Sequence, residues 1–173
     1  MKKYQKHLDF IIDKLTNSIE NSFSGEVFDT EISKLTAKEI KEIKRKDWQF
    51  NWKKELGRIE KDVYKLTTVN NLTIIQGLIS IEDKKDHIFM HLVESAKFNL
   101  GKNKLYIGVP GNLVAFACKI AFEKGYDGYV AFDSKTVLIE HYQKSLDATH
   151  LRGQRMFIDT EAARKLVSQY FKT

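Results

Sequence analysis

The chain has 173 residues, 42% of them hydrophobic and 30% charged, which suits one domain able to bury a core and excludes a disordered or low-complexity polypeptide. Cys118 is the one cysteine, so a disulfide framework and a cysteine metal cluster are excluded. No stretch approaches the ~20 apolar residues of a membrane span, and residues 1–22 lack a signal peptide's uninterrupted apolar centre, so the expectation is a cytoplasmic protein without membrane contact. The formal charge of +6 is spread along the chain and fits a nucleotide-containing cofactor, nucleic acid or plain solubility equally well.

Tyr4, Leu8, Ile11, Ile12, Leu15 and Ile19 recur at helical spacing, with Lys3, Lys6, Asp9 and Asp13 between them, which predicts an amphipathic helix within residues 1–22. Packing on its own domain is favoured over membrane docking, because acidic residues dilute the basic face; a homodimer contact is an alternative use. After a Ser/Gly turn at 22–25, residues 27–35 read as a strand. Thr36 and Glu39 then form a capping box for a helix through Ile40 and Ile43. A second short helix over 47–56 ends at Gly57 and sets Trp48 and Trp52 on one face. The pair reads first as core and second as the lining of a substrate cleft.

Strands follow over 62–69, 72–82 and 87–96, separated by Asn70-Asn71 and by residues 83–86, in the manner of an antiparallel meander. In the third strand, alternation puts Ile88, Met90, Leu92, Glu94 and Ala96 on one face and Phe89, His91, Val93 and Ser95 on the other. Glu94, in an apolar row, is either at a solvent end or in a cleft where desolvation suits a base.

In residues 105–133, Gly108 and Gly111 bracket a bend, a helix opens at Gly111 or Asn112, Gly125 stops it, and a buried strand follows at 129–133. Leu113, Phe116, Ala117 and Ile120 form the buried stripe, widened by Val114, Cys118 and Ala121. Amides at the head of such a helix bind phosphate or another anion. Lys102 and Lys104 can reach a phosphate there or stay solvated. Taken alone, the loop reads first as an ordinary βα turn, because short glycine motifs match often by chance. A helix from about Thr136 turns Leu138, Ile139, Tyr142 and Leu146 to one side, a strand covers 150–158, and Asp159 or Thr160 caps a last helix.

That element order resembles the GNAT superfamily of N-acetyltransferases over residues 25–158. GVPGNLVAFA, Gly108–Ala117, is similar to the family's loop of arginine or glutamine, two residues, Gly, one residue, Gly or Ala, followed by a leucine-rich helix. Gly108 matches the first glycine, Pro110 stands in place of the second with Gly111 just after it, and Leu105 stands where the family often has a basic or amide residue. KTVLIEHYQKSLDA, Lys135–Ala148, resembles an asparagine-initiated helix with a tyrosine seven residues on; Tyr142 matches the tyrosine and Lys135 replaces the asparagine. Val93–Phe98 resembles the splayed strand whose backbone pairs with the pantetheine arm.

The resemblance implies a single α/β domain with a GNAT-like mixed, mainly antiparallel sheet flanked by helices, to which the N-terminal helix is extra. It implies transfer of an acetyl group from acetyl-CoA, as co-substrate, directly to an amine on a small molecule or peptide. It assigns Gly108, Val109, Gly111, Asn112 and Leu113 to the pyrophosphate, Ser95 and Ala96 to the pantetheine arm, and Tyr142 to the CoA sulfur. Glu94 is the expected base, and Trp48, Trp52 and the helices at 37–56 are expected to border the amine's entrance. No metal is implied. A CoA-binding module without turnover and a basic nucleic-acid-binding protein are the competing readings, nucleic acid being the less favoured.

Overall fold

A computed structural model describes residues 7–13 and 18–171. Among these residues the strands are β1 (Ser18–Asn21), β2 (Val27–Lys34), β3 (Lys61–Thr68), β4 (Gly77–Asp83), β5 (Ile88–Ser95), β6 (Tyr106–Ile107), β7 (Val130–Asp133), β8 (Thr149–Arg152) and β9 (Arg155–Ile158). They form one sheet in the order β6-β1-β2-β3-β4-β5-β7-β9-β8, antiparallel except for β5 and β7. The helices are α1 (Trp52–Leu56), α2 (Val109–Glu123), α3 (Ile139–Leu146) and α4 (Thr160–Tyr170). The sheet is therefore the mixed, mainly antiparallel one that the resemblance implies.

Apolar clusters lie on both faces. The larger gathers Leu66, Met90, Val93 and Phe132 with α2, Tyr142 and α4, and the smaller gathers Leu35, Trp48, Trp52, Leu78, Leu92 and Ala96. Met90 and Leu92 fall in different clusters because Ser80 pairs with Leu92 while Ile81 pairs with Met90, leaving His91 as an extra residue. This β-bulge reverses the alternation. The expected common face of Ile88, Met90, Leu92, Glu94 and Ala96 is thereby corrected: Ile88, Met90 and Val93 share one cluster, and Leu92 and Ala96 the other.

The parallel pair is joined only at one end. Ile88, Phe89 and Met90 pair with Val130, Ala131 and Phe132, and there the ladder stops although β5 continues to Ser95. Past that point the edge of β7 is taken by Leu8, whose amide donates to Asp133 O at 2.7 Å and whose carbonyl accepts from Lys135 N at 3.1 Å. Ser134 N points the other way, to Gln154 O on the hairpin side, so Leu8 stands on the edge that β5 holds lower down.

The expected N-terminal helix is corrected by these bonds. Residues 18–21 are β1, residues 7–13 carry no helix, and Leu8 makes a parallel bridge to Ser134. Burial alternates over Leu8, Asp9, Phe10 and Ile11, with Leu8 and Phe10 buried and Ile11 exposed, a period of two in place of 3.6. Tyr4, Leu15, Lys3 and Lys6 lie outside the described residues. Elsewhere the differences are local. The capping box forms, with Glu39 N donating to Thr36 Oγ1 at 3.3 Å and Thr36 N to Glu39 Oε1 at 3.2 Å, yet it opens only a 3₁₀ turn at Glu39–Glu42. The expected helix at 47–56 reduces to α1 after a second such turn at Arg45–Asp47. The last strand is the β8–β9 hairpin, and β6, which the sequence did not suggest, pairs with β1.

Candidate functional site

The head of α2 lies beside the opening between β5 and β7. Gly108, the N-cap, has φ 98°, a left-handed conformation that glycine takes without steric cost. The helix starts at Val109, two or three residues ahead of expectation, because Pro110 fits the first turn, where its missing N–H breaks no helical bond. Asn112 N gives the first helical bond, to Gly108 O at 3.2 Å, so the amides of Gly108, Val109 and Gly111 precede it. The buried Asn112 side chain donates to Gly108 O at 2.7 Å and to Ser18 O at 3.3 Å, which fastens the loop to β1. Gly77 of β4 lets the helix approach: a Cβ there would lie 2.6 Å from Val109 Cγ1 and 3.1 Å from Leu113 Cδ1.

A carboxylate sits on this helix head. Asp13 accepts from the Gly108 amide at 2.9 Å through Oδ1 and from Lys104 Nζ at 3.0 Å through Oδ2. A backbone amide at a helix start and an ammonium group sharing one anion form the seat that a phosphate oxygen would use. Lys102, the other lysine of the loop, is exposed.

A cavity of about 230 Å³ lies next to Asp13; Phe10, Phe50, Glu94, Ser95 and Pro110 line it as well. Glu94 is neither solvated nor loose. Its carboxylate, 6% exposed, accepts from Gln49 N at 2.6 Å, Phe50 N at 3.1 Å and Trp52 Nε1 at 2.8 Å. It thus fastens the Gln49–Trp52 turn to β5. Ser95 lines the cavity, whereas Ala96 belongs to the cluster on the opposite face and donates its amide to Gln76 O at 2.9 Å.

Tyr142 is fully buried on α3. Its hydroxyl donates to Phe10 O at 2.6 Å, and its ring meets those of Phe10 and Phe132 at centroid distances of 4.9 and 5.5 Å. Burial first, and the Asp9 charge second, push the phenol far above its ordinary value, so it stays protonated. The neighbouring His141 accepts from Ile12 N through Nε2 at 3.0 Å; burial holds its imidazole below the ordinary value, in keeping with a neutral acceptor.

Glu94, Ser95, Lys104 and the helix head therefore surround one cavity, and Tyr142 reaches it through Phe10. The tryptophans are core: Trp48 is 8% and Trp52 1% exposed, with ring centroids 6.5 Å apart. It is Gln49 and Phe50, between them, that reach the cavity. Sequence reasoning missed these two and also Asp9, Phe10 and Asp13, whose helical spacing concealed an extended seat. Burial raises the Cys118 thiol well above its usual range, which makes it inert, and no group of three His, Cys, Asp or Glu suited to a metal occurs among the described residues. No helix among them is long and apolar enough to cross a membrane.

No protein-family model matches the chain, and no curated protein matches it. Among solved structures it is similar to nourseothricin acetyltransferase, at 11% identity and a TM-score of 0.46, over 75% of this chain and 97% of that one. It is also similar to the ribosomal-protein-S18-alanine N-acetyltransferase from Escherichia coli, at 11% identity and a TM-score of 0.44, over 75% and 90% of the two chains. The mixed, mainly antiparallel sheet and the glycine-capped helix are features that the resemblance to the GNAT superfamily implies.

Proposed function

We propose that the chain is an acyltransferase that moves an acetyl group from acetyl-CoA to an amine by direct transfer. The observation that supports this most is the anion seat at the head of α2, where the Gly108 amide and Lys104 already hold a carboxylate beside the part of β5 that β7 leaves unpaired. A pyrophosphate offers the same seat more charge and more acceptor atoms. Gly108, Val109 and Gly111 would hold it through their amides, Asn112 by keeping the loop in shape, and Leu113 by anchoring the helix. Ser95, which lines the cavity, would border the pantetheine arm along β5, whereas Ala96 has turned to the other face.

Bound acetyl-CoA supplies an activated acyl carbon, whose bond to sulfur breaks as an amine nitrogen attacks. Tyr142, kept protonated by burial, is the proposed donor of a proton or hydrogen bond to the departing sulfur. Glu94 is the proposed acceptor of the amine's proton, directly or through water, and its three N–H bonds fix its oxygens at the cavity wall. The amine would enter past Gln49 and Phe50, from a small molecule or a peptide.

The test is free-thiol release from acetyl-CoA with a panel of amines, alongside calorimetry for binding. Amine-dependent release supports the reading. Binding without release from any amine makes the chain a CoA-binding module, and absence of both removes the reading.

A further inference from the structure

Residues 7–13 lie where the proposed function needs acyl-CoA to lie. Leu8 bonds the edge of β7 at the point where β5 leaves it. Phe10 O holds the Tyr142 hydroxyl, and Ile12 N bonds His141. Asp13 closes the far end on Gly108 and Lys104. The segment thus uses, in chain order, an unpaired sheet edge, the proposed acid and the anion seat. The space left beside it, about 230 Å³, is below the roughly 300–1,000 Å³ of clefts that enclose drug-sized ligands.

We propose that residues 7–13 are an internal strap that closes the acyl-CoA cleft, with Asp13 in place of a phosphate and the Phe10 carbonyl on the Tyr142 hydroxyl, and that the strap leaves when acyl-CoA binds. This rests on the acyl-CoA reading above. The strap is built for exchange. Its end contact is a carboxylate on a seat that a pyrophosphate fills with more charge, and Asp9 pairs with a half-exposed Lys135 at 2.8 Å. A protein whose open state is a small fraction binds its ligand more weakly by that fraction, so weakening the strap tightens binding.

Two measurements on the full chain test this. Amide hydrogen exchange of the wild type is followed with and without CoA: residues 7–13 and Lys135 N should lose protection as the α2 head, residues 108–113, gains it. Calorimetry of Asp13→Ala should show acetyl-CoA binding tighter by about tenfold or more, since a charge-assisted contact has been removed from the closed state only. CoA binding with residues 7–13 still protected overturns the strap, whatever the variant does, and makes the segment a fixed wall. Loss of protection with unchanged affinity in Asp13→Ala overturns Asp13 as its anchor. If neither protein binds CoA at all, the strap and the acyl-CoA reading fail together, an outcome distinct from the other two.

Discussion

Replacement of Glu94 by alanine tests the turn that shapes one wall of the cavity. The carboxylate accepts three N–H groups, and their surroundings set what each loses. Gln49 is exposed and Phe50 half-buried, so water can replace the carboxylate on their amides, at a net loss of roughly 0.5–1.5 kcal/mol each. Trp52 is 1% exposed, and its indole N–H has no such recourse; a buried donor left unmade costs about 1–3 kcal/mol. The expected loss for Glu94→Ala is about 2–6 kcal/mol, a large part of the roughly 5–15 kcal/mol that stabilises an ordinary domain. Glu94→Gln keeps one acceptor oxygen and should lose about half as much. Urea unfolding followed by tryptophan fluorescence reads both, because Trp52 is itself the reporter. A loss below about 1 kcal/mol in Glu94→Ala, at unchanged m-value, would refute the account of this carboxylate as the turn's anchor.

Gly77→Ala should destabilise by about 1–3 kcal/mol and weaken acetyl-CoA binding, because the added Cβ falls 2.6 Å from Val109 Cγ1 and 3.2 Å from Glu94 O; thermal unfolding and calorimetry read the two effects. Acid should destabilise the fold in two steps. Burial holds His91 below its ordinary 6.5 despite its bond to Glu82, so the stability of the neutral form is complete above 6.5 and declines as pH falls toward the folded value. Glu82, which burial raises but bonds from His91 and Lys84 lower further, lies below 4.5, and its contribution declines below that pH. His91→Gln should shrink the first step in a plot of Tm against pH to the part that His141, also held low by burial, contributes; a decline of undiminished size between pH 7 and 5 (about the range of histidine titration) would refute its origin in His91. Tyr142→Phe should lower kcat by roughly 10²–10⁴-fold where chemistry limits the rate, and equal turnover would show that the tyrosine only packs.

What was legible in the sequence was what short-range chemistry decides. The α2 head could be read because Gly108 and an uninterrupted apolar helix are neighbours in the chain, and the capping box because Thr36 and Glu39 are three residues apart. The β5 faces could not, because a one-residue bulge at His91 shows only when β4 is laid beside it. The N-terminal segment failed for the same reason at longer range. Its apolar residues repeat as in a helix, but the groups that receive its backbone, Asp133, Lys135 and His141, lie more than 120 residues away. Backbone partners, not spacing, chose the extended form.

Two positions at which the sequence departs from the pattern it resembles meet this segment. Lys135, where the family has asparagine, pairs with Asp9, and Lys104, beside the position of the expected basic or amide residue, pairs with Asp13. The two aspartates are four residues apart, about 13–14 Å when extended, and their lysines come from two separate loops, one after β7 and one before β6. Partly exposed pairs of this kind contribute only about 0–1 kcal/mol each, so the Asp9 pair sets the register of the segment more than its hold, while Asp13 gains roughly 1.5–3 kcal/mol more from its charge-assisted bond to the Gly108 amide. The rest of the hold is apolar: Leu8 is 2% and Phe10 8% exposed, and baring two such side chains costs roughly 3–6 kcal/mol. At 1.4 kcal/mol per factor of ten, that is a weakening of about 10²–10⁴-fold, less whatever contact an entering ligand returns to the same walls. An acyl chain and pantetheine arm return much of that contact and a lone phosphate returns almost none. Inorganic phosphate should therefore leave residues 7–13 protected at concentrations that saturate the seat of an opened variant, while acetyl-CoA should not.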